Sequence, residues 1–176
     1  MRASDMDFST VRHFKEREFP QISTSAGSRS VLEFTDESVV RVLDTLRDQL
    51  GHALIPSPVT GGWVREGGST GSRHYIGPIR QGSDGQLESA HLSTAGDFFP
   101  KCDVRKAFLA ALAIPEIGGI GVYLDTRGPD GTRWNMMHID LREGPRQVWM
   151  RVNGRYIYPY RGQAEMDEFF RLLGEV

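Results

Sequence analysis

The last third of the chain contains four segments with the composition of β-strands, and this feature constrains the fold most. Two of them, 147–152 and 155–160, flank an Asn-Gly pair at 153–154 that is typical of the type I′ turn in a two-residue β-hairpin. The other two cover 118–124 and 133–142. We therefore predict an α+β fold in which a small antiparallel sheet has helices packed on one face.

Helical periodicity accounts for most of the remaining regular structure. Three helices are predicted, over residues 35–50, 103–113 and 165–173. Thr35 or Asp36 can cap the first helix at its start, and Gly51 can end it. A short strand at 54–59 contains two prolines, so it is expected at the edge of a sheet.

Length and composition predict one domain over residues 1–176, with an N-terminal extension at 1–30 and a loop region at 60–97. The net charge is −2, from 21 basic and 23 acidic residues without a long basic stripe, so nucleic acid is not an expected partner. No apolar run reaches the roughly 20 residues of a bilayer span, and no membrane insertion is expected. The first residues lack the apolar stretch of a secretory signal, which predicts synthesis in a cytoplasm. The oligomeric state has no signal in the sequence.

The strand predicted at 133–142 carries ionisable side chains on one face. Alternate residues of a strand point the same way, so His138, Asp140 and Arg142 share a face, while the apolar residues between them point toward the core. Burying such side chains is costly unless they build a site. His138 is therefore a candidate metal ligand. Asp140, about 7 Å further along the strand, is a candidate either for supporting that ligand by a hydrogen bond or for proton transfer.

The loop region at 60–97 supplies further candidate ligands. It contains His74, His91 and Asp97. One of these histidines, together with Asp97 and the distant His138, can fill three positions of a tetrahedral zinc site. The fourth position would then be open, which is the arrangement of catalytic zinc sites.

Several short motifs occur in a characteristic order. Residues 14–19 are Phe-Lys-Glu-Arg-Glu-Phe, 60–65 are Thr-Gly-Gly-Trp-Val-Arg, and 138–142 are His-Ile-Asp-Leu-Arg after a glycine-rich segment at 118–123. This order resembles the zinc D-Ala-D-Ala carboxypeptidase and hedgehog-type peptidase superfamily, especially its phage and bacterial cell-wall members. The late family motif, His-x-Asp-x-Arg, is matched in full. The similarity spans roughly residues 12–160 and implies a fold of the same type.

The first family motif, Ser-x-His-x-x-Gly-x-Ala-x-Asp, is not present as one run. In one interpretation residues 72–77 fit its first half and 95–97 its second, with glycine and alanine 18 positions apart instead of 2. In the other, His91 takes the histidine position six residues before Asp97, and the glycine is missing. We prefer His74 because the split version keeps every signature residue, and His91 is its alternative.

The resemblance implies a zinc-dependent peptidase or amidase that acts on peptidoglycan stem peptides. Zn²⁺ would be bound by His74 (or His91), Asp97 and His138, and Arg65 would bind a carboxylate of the peptide. Because the chain begins without a secretory signal, a phage lysis or virion-associated role is expected.

The proton acceptor is the main departure from the family. Related peptidases often place a carboxylate three residues before the last histidine, where this chain has Asn135, which cannot take a proton. Asp140 is the best substitute as catalytic base, and Asp125 is a poorer one. The same departure fits a non-catalytic alternative, namely a metal-binding, virion or cell-wall protein that keeps the peptidase fold. A third alternative is an unrelated small α+β binding domain whose motifs match by chance.

Overall fold

Ten β-strands and three α-helices are formed by the residues that the structure, a computed structural model, describes: 1–24, 27–127, 131–132 and 134–175. In chain order the strands β1 to β10 are Gln21–Thr24, Gly27–Ser30, Leu54–Pro56, Arg80–Gln81, Leu87–Glu88, Ala95–Pro100, Gly119–Tyr123, Met136–Asp140, Gln147–Val152 and Arg155–Ile157. The helices α1 to α3 are Glu37–Leu50, Val104–Leu112 and Gln163–Gly174. Short 3-10 turns lie at Ala3–Asp5, Phe8–Thr10, Glu16–Glu18, Val31–Phe34, Thr60–Gly62 and Pro159–Arg161.

Six strands form a central sheet in the order β10-β9-β7-β8-β6-β3. Every neighbouring pair is antiparallel except β7 and β9, which are parallel. The α+β class is confirmed, but the prediction of a small antiparallel sheet is wrong in size and in one pairing. The consecutive strands β8 and β9 run in opposite directions but are not neighbours, because β7 lies between them. Since β7 is antiparallel to β8, it runs in the same direction as β9.

Local sequence signals are confirmed where the backbone conformation can be compared with them. Asp36 caps α1, since its carboxylate accepts a hydrogen bond from Ser38 N at 2.9 Å. Gly51 ends the helix in the left-handed region at φ 64°. Asn153 and Gly154 have φ of 49° and 77°, so both are left-handed, as a type I′ turn between β9 and β10 requires.

The ends of several elements differ from the predictions. The predicted strand 133–142 shortens to β8, and Arg133 lies outside the described residues. The predicted strand 155–160 ends at Ile157 because Pro159 begins a 3-10 turn. The strand β3 is short and lies at the sheet edge, as expected from its prolines. The loop region and the N-terminal extension each contain a two-stranded sheet, β4–β5 and β1–β2.

The central sheet has two faces of different composition. We define its core face by the buried residues Phe98, Ile120, Val122, Met137 and Ile139. Helix α2 contacts β7 and β8, and Val39 of α1 lies against Gly96 of β6 on this face. We define the site face by Asp97, Gly121, His138, Asp140 and Trp149. The prediction that alternate residues of β8 separate into an apolar and an ionisable set is confirmed.

One cluster of buried apolar side chains extends from Ala3 to Leu173. Phe14 and Phe19 of the N-terminal extension belong to it, so this segment packs on the same core as the sheet and the helices. Within the described ranges, each helix falls short of the length and apolar character needed to span a bilayer.

Candidate metal centre

Asp97 and His138 lie side by side because β6 and β8 pair in a register that places them opposite each other. His138 Nδ1 is 2.8 Å from Asp97 Oδ1. On the other side of His138 the register places Gly121 of β7 and then Trp149 of β9, whose ring centroid is 5.1 Å from that of His138. A Cβ at Gly121 would lie 2.5 Å from Trp149 Nε1, so the glycine leaves the space that the indole needs beside His138.

His74 reaches the same point from the loop region. Arg65 N donates a hydrogen bond to the carbonyl oxygen of His74 at 2.7 Å, which fixes the backbone at this histidine. Its Nε2 is 3.0 Å from His138 Nδ1 and 3.4 Å from Asp97 Oδ1. One ligand atom from each of the three residues therefore lies within 4.8 Å of the others, and all three residues are buried.

Hydrogen bonds around the two imidazoles determine which nitrogen of each ring carries a proton. His74 Nδ1 is 3.3 Å from the carbonyl oxygen of Trp63, which can only accept, so this nitrogen donates. His138 Nε2 is 3.1 Å from Asp140 Oδ2, and a carboxylate likewise accepts. When both rings are neutral, His74 Nε2 and His138 Nδ1 thus present lone pairs toward Asp97 Oδ1. Three converging acceptors repel one another unless a proton or a cation lies between them.

A proton on His138 satisfies this centre when no metal ion is bound. Burial lowers the pKa of His138, but its hydrogen bonds to Asp140 and Asp97 and their negative charges outweigh burial and raise the pKa to about 9. Burial raises the pKa of Asp97, whereas the neighbouring His74 and His138 lower it well below its ordinary value. A metal ion can replace the proton, because metal-bound histidines must give up the proton on the ligating nitrogen.

The donor set fits a transition-metal ion. Two imidazole nitrogens and one carboxylate oxygen are the three-ligand type found in catalytic zinc sites. Each histidine also donates its other N–H, to Trp63 O and to Asp140, which is typical of metal-binding histidines. The group of His74, Asp97 and His138 is therefore a candidate metal centre. Imidazole nitrogens also suit copper, iron and nickel, so the donor types admit zinc without selecting it.

Asp140 lies behind His138 and not beside the converging ligand atoms. It is fully buried, and its Oδ2 faces the ring nitrogen that points away from Asp97. Arg142 holds both oxygens of the carboxylate, with Nε 2.7 Å from Oδ1 and Nη2 2.5 Å from Oδ2. Burial raises the pKa of Asp140, but Arg142 and His138 outweigh burial and lower it. This position suits a carboxylate that orients His138 better than one that takes a proton from water.

Gly119 explains how Asp140 fits into the sheet. The register of β7 and β8 places Gly119 directly opposite Asp140. A Cβ at this glycine would overlap the Asp140 carboxylate. The glycine-rich character of β7 therefore has a steric cause, since Gly119 and Gly121 make room for Asp140 and Trp149 on the site face.

His91, the alternative to His74, lies outside this group. It is exposed, and its ring centroid is 5.8 Å from that of Tyr75. The residues brought within ligand distance of one another include His74 and not His91. Asp125, the second candidate base, is bound by Arg151, whose Nε is 3.0 Å from Asp125 Oδ1.

A cavity of about 570 Å³ opens beside His74 and His138, and Arg65 is part of its lining. Its aromatic wall is formed by Tyr123, Trp149, Tyr156, Tyr158 and Tyr160. Sequence reasoning missed this wall. Its signal was the alternation of tyrosines at 156, 158 and 160, of which only Tyr156 lies on β10. A second cavity of about 410 Å³ is lined by Asp97 and again by Arg65.

No protein-family model, curated protein or solved structure matches the chain. The family named from the motifs therefore stays a prediction.

Proposed function

We propose that the chain is a zinc-dependent hydrolase, of the peptidase or amidase type, that acts on peptidoglycan stem peptides. The observation that carries this proposal is the convergence of His74 Nε2, His138 Nδ1 and Asp97 Oδ1. The two histidines line one cavity, and Asp97 lines a second one. At such a site zinc supplies Lewis acidity, which polarises a carbonyl group and activates water. The order of short sequence motifs supports a peptide as the substrate.

Three residues around the centre have distinct roles in this proposal. Asp140 accepts a hydrogen bond from His138 Nε2–H and so keeps Nδ1 directed at Asp97, which makes it a positioning residue. Arg142 keeps Asp140 ionised for this task. Arg65 is exposed beside His74 and binds a carboxylate of the peptide through a charge-assisted contact.

A non-catalytic metal-binding or cell-wall-associated protein is the second candidate. Two observations favour it. Asn135 stands where related peptidases have their base, and the substitute Asp140 is committed to His138 and Arg142. In this alternative the centre stabilises the fold, and peptides bind without being cut.

Two measurements on the purified protein test the proposal in sequence. Elemental analysis of protein purified without added metal should find one zinc ion per chain, and other metals in its place would contradict the choice of zinc. Zinc-loaded protein should then shorten purified muropeptides, as detected by mass spectrometry. The matched negative control is His74→Ala at the same concentration. Intact muropeptides after prolonged incubation with fully loaded wild type would reject hydrolysis and leave the non-catalytic candidate.

A further inference from the structure

Arginine side chains, and no carboxylates among the described residues, line the cavity beside the candidate metal centre. Three arginines belong to its lining, namely Arg65, Arg73 and Arg142. No aspartate or glutamate occurs among the described residues that line it. The whole chain has a net charge of −2, so this cationic lining is a local feature and not a reflection of overall composition.

Two of the three guanidinium groups have no anionic partner within the described part of the chain. Arg142 is neutralised by Asp140. Arg65 donates from Nε to the carbonyl oxygen of Gly61 at 2.7 Å and is in no ion pair with a described residue. Arg73 is exposed and likewise lacks an ion pair with any described residue. Two unpaired cations in one concave site attract anions, because a cleft concentrates their field.

The backbone of these two arginines is connected to that of His74 in the candidate metal centre, by sequence adjacency for Arg73 and by a hydrogen bond for Arg65. Arg73 directly precedes His74, and its carbonyl oxygen accepts a hydrogen bond from Thr94 N at 3.1 Å. Arg65 N donates to the carbonyl oxygen of His74. The positions from which the two guanidinium groups extend are therefore set by the same loop that places the ligand His74.

The tyrosines of the lining add surface without adding charge. Tyr156 and Tyr160 are 44% and 57% exposed, so these rings present area to a bound molecule. Tyrosine offers a large amphipathic surface and loses little conformational entropy when it is covered. An anionic peptide can lie along this wall with its carboxylates directed at the arginines.

We propose that this cavity selects peptides that carry a second carboxylate besides the terminal one, with Arg65 and Arg73 as the two anion-binding residues. The inference rests on the proposed function for its choice of peptide, and it adds a substrate class to it: acidic stem peptides are bound, and peptides with the same backbone but amidated acidic residues are bound poorly.

Two synthetic stem peptides test the inference directly. They are identical except that the carboxylates outside the C-terminus are free in one and amidated in the other. With zinc-loaded wild type at low salt, we expect kcat/KM and affinity by calorimetry to favour the acidic peptide by about tenfold, the equivalent of one charge-assisted contact in a partly exposed site. Raising the salt concentration should reduce the preference, because salt screens exposed charges.

The variant Arg73→Gln should reduce the preference for the acidic peptide. The matched control is Arg105→Gln, which removes the same charge from the exposed surface of α2 and should keep the preference. Equal affinity of wild type for the two peptides would overturn the inference, whether or not the peptides are cut. Selective binding without cleavage would support the inference and reject hydrolysis. A preference that is undiminished in Arg73→Gln, or that Arg105→Gln reduces as much, would also overturn it.

Discussion

The two faces of β8 are stabilised by different forces. On the core face, Met137 and Ile139 are fully buried among apolar side chains. On the site face, His138 and Asp140 are 5% and 0% exposed, and each ring nitrogen and carboxylate oxygen has a polar partner. Apolar burial has no directional requirement, whereas a buried polar group left without its partner costs about 1–3 kcal/mol. Neighbouring residues on β8 are thus stabilised differently: those on the core face by apolar burial, and those on the site face by paired hydrogen bonds.

The two faces of β8 also differ in whether fold stability alone explains their residues. Buried ion pairs can often be replaced by apolar residues of similar volume without loss of stability. Fold stability alone therefore does not explain why His74, Asp97, His138 and Asp140 are gathered together, and their assembly points to function. Substitutions on the core face should mainly change the free energy of unfolding, and substitutions on the site face should mainly change metal binding.

Removal of a ligand should have the largest effect. We expect His74→Ala to weaken the proposed zinc binding by at least about 1,000-fold, since one of the three proposed protein ligands is lost. Competition with a chromophoric chelator measures the affinity. His91→Ala is the matched control and should bind zinc as wild type does. If His91→Ala loses zinc binding and His74→Ala keeps it, His91 and not His74 is the ligand.

A core-face truncation should give the converse result. Ile139→Ala is expected to lower the free energy of unfolding by about 2–5 kcal/mol, because it removes buried methyl groups and leaves a cavity. Urea unfolding of the metal-free protein measures this loss, and the folded variant should retain wild-type zinc affinity. Leu109→Ala, at a position that is 53% exposed, should change stability by less than about 0.5 kcal/mol. A large loss of zinc affinity in Ile139→Ala would contradict the expectation that core-face substitutions change stability and leave metal binding intact.

The site face should also make the free energy of unfolding depend on pH, because it carries the titratable His138, whereas the core face is apolar. The pKa of His138 is raised from 6.5 to about 9 in the folded, metal-free protein. A raised pKa stabilises the fold below pH 6.5, and this contribution is lost as pH rises through 9. We expect the free energy of unfolding to fall by about 3 kcal/mol over that interval. Urea unfolding in the presence of a chelator measures it.

Two controls accompany the pH experiment. His138→Gln should lack this pH dependence, because the titrating group is gone. Zinc-loaded wild type should lack it as well, because the histidine is then already deprotonated on the ligating nitrogen. A metal-free wild type whose stability is constant between pH 6.5 and 9 would contradict the paired arrangement of His138 with Asp97 and Asp140.

The smallest effect is expected from Asp140, which forms a hydrogen bond with the proposed ligand His138. Asp140→Asn keeps the shape of the side chain but removes its charge, and we expect zinc affinity to fall by about 10–100-fold. Asp125→Asn removes a carboxylate that binds Arg151 instead of a histidine and should leave zinc affinity as in wild type. The pair is compared by chelator competition. If Asp140→Asn binds zinc normally but loses hydrolysis, Asp140 takes part in the chemistry and is not a positioning residue.

Much of the local structure could be predicted because its causes lie within a few residues. Asp36 and Gly51 bound α1 through backbone hydrogen bonds and φ angles of the residues themselves. The Asn153-Gly154 turn follows from the two left-handed conformations it requires. The size of the sheet and its parallel β7–β9 pair could not be predicted, since they depend on which distant strands pair.

The candidate site was only partly accessible to sequence reasoning. Its ligand types were available, because histidine and aspartate at His138 and Asp97 are chemically suited to a metal. The choice of His74 over His91 depended on how the loop region folds over the sheet. The role of Asp140 depended on which ring nitrogen of His138 it faces, a detail that spacing along a strand does not contain.

The sequence by itself determined the cap and the end of α1, the hairpin turn and the division of β8 into an apolar and an ionisable set. These properties arise from backbone geometry and from the two-residue period of a strand, which act over short distances along the chain. Only the tertiary structure decided that His74, Asp97 and His138 meet, and that arginines and tyrosines surround the cavity beside them. The physical reason is that contacts between remote segments are set jointly by strand pairing and by packing of the whole core.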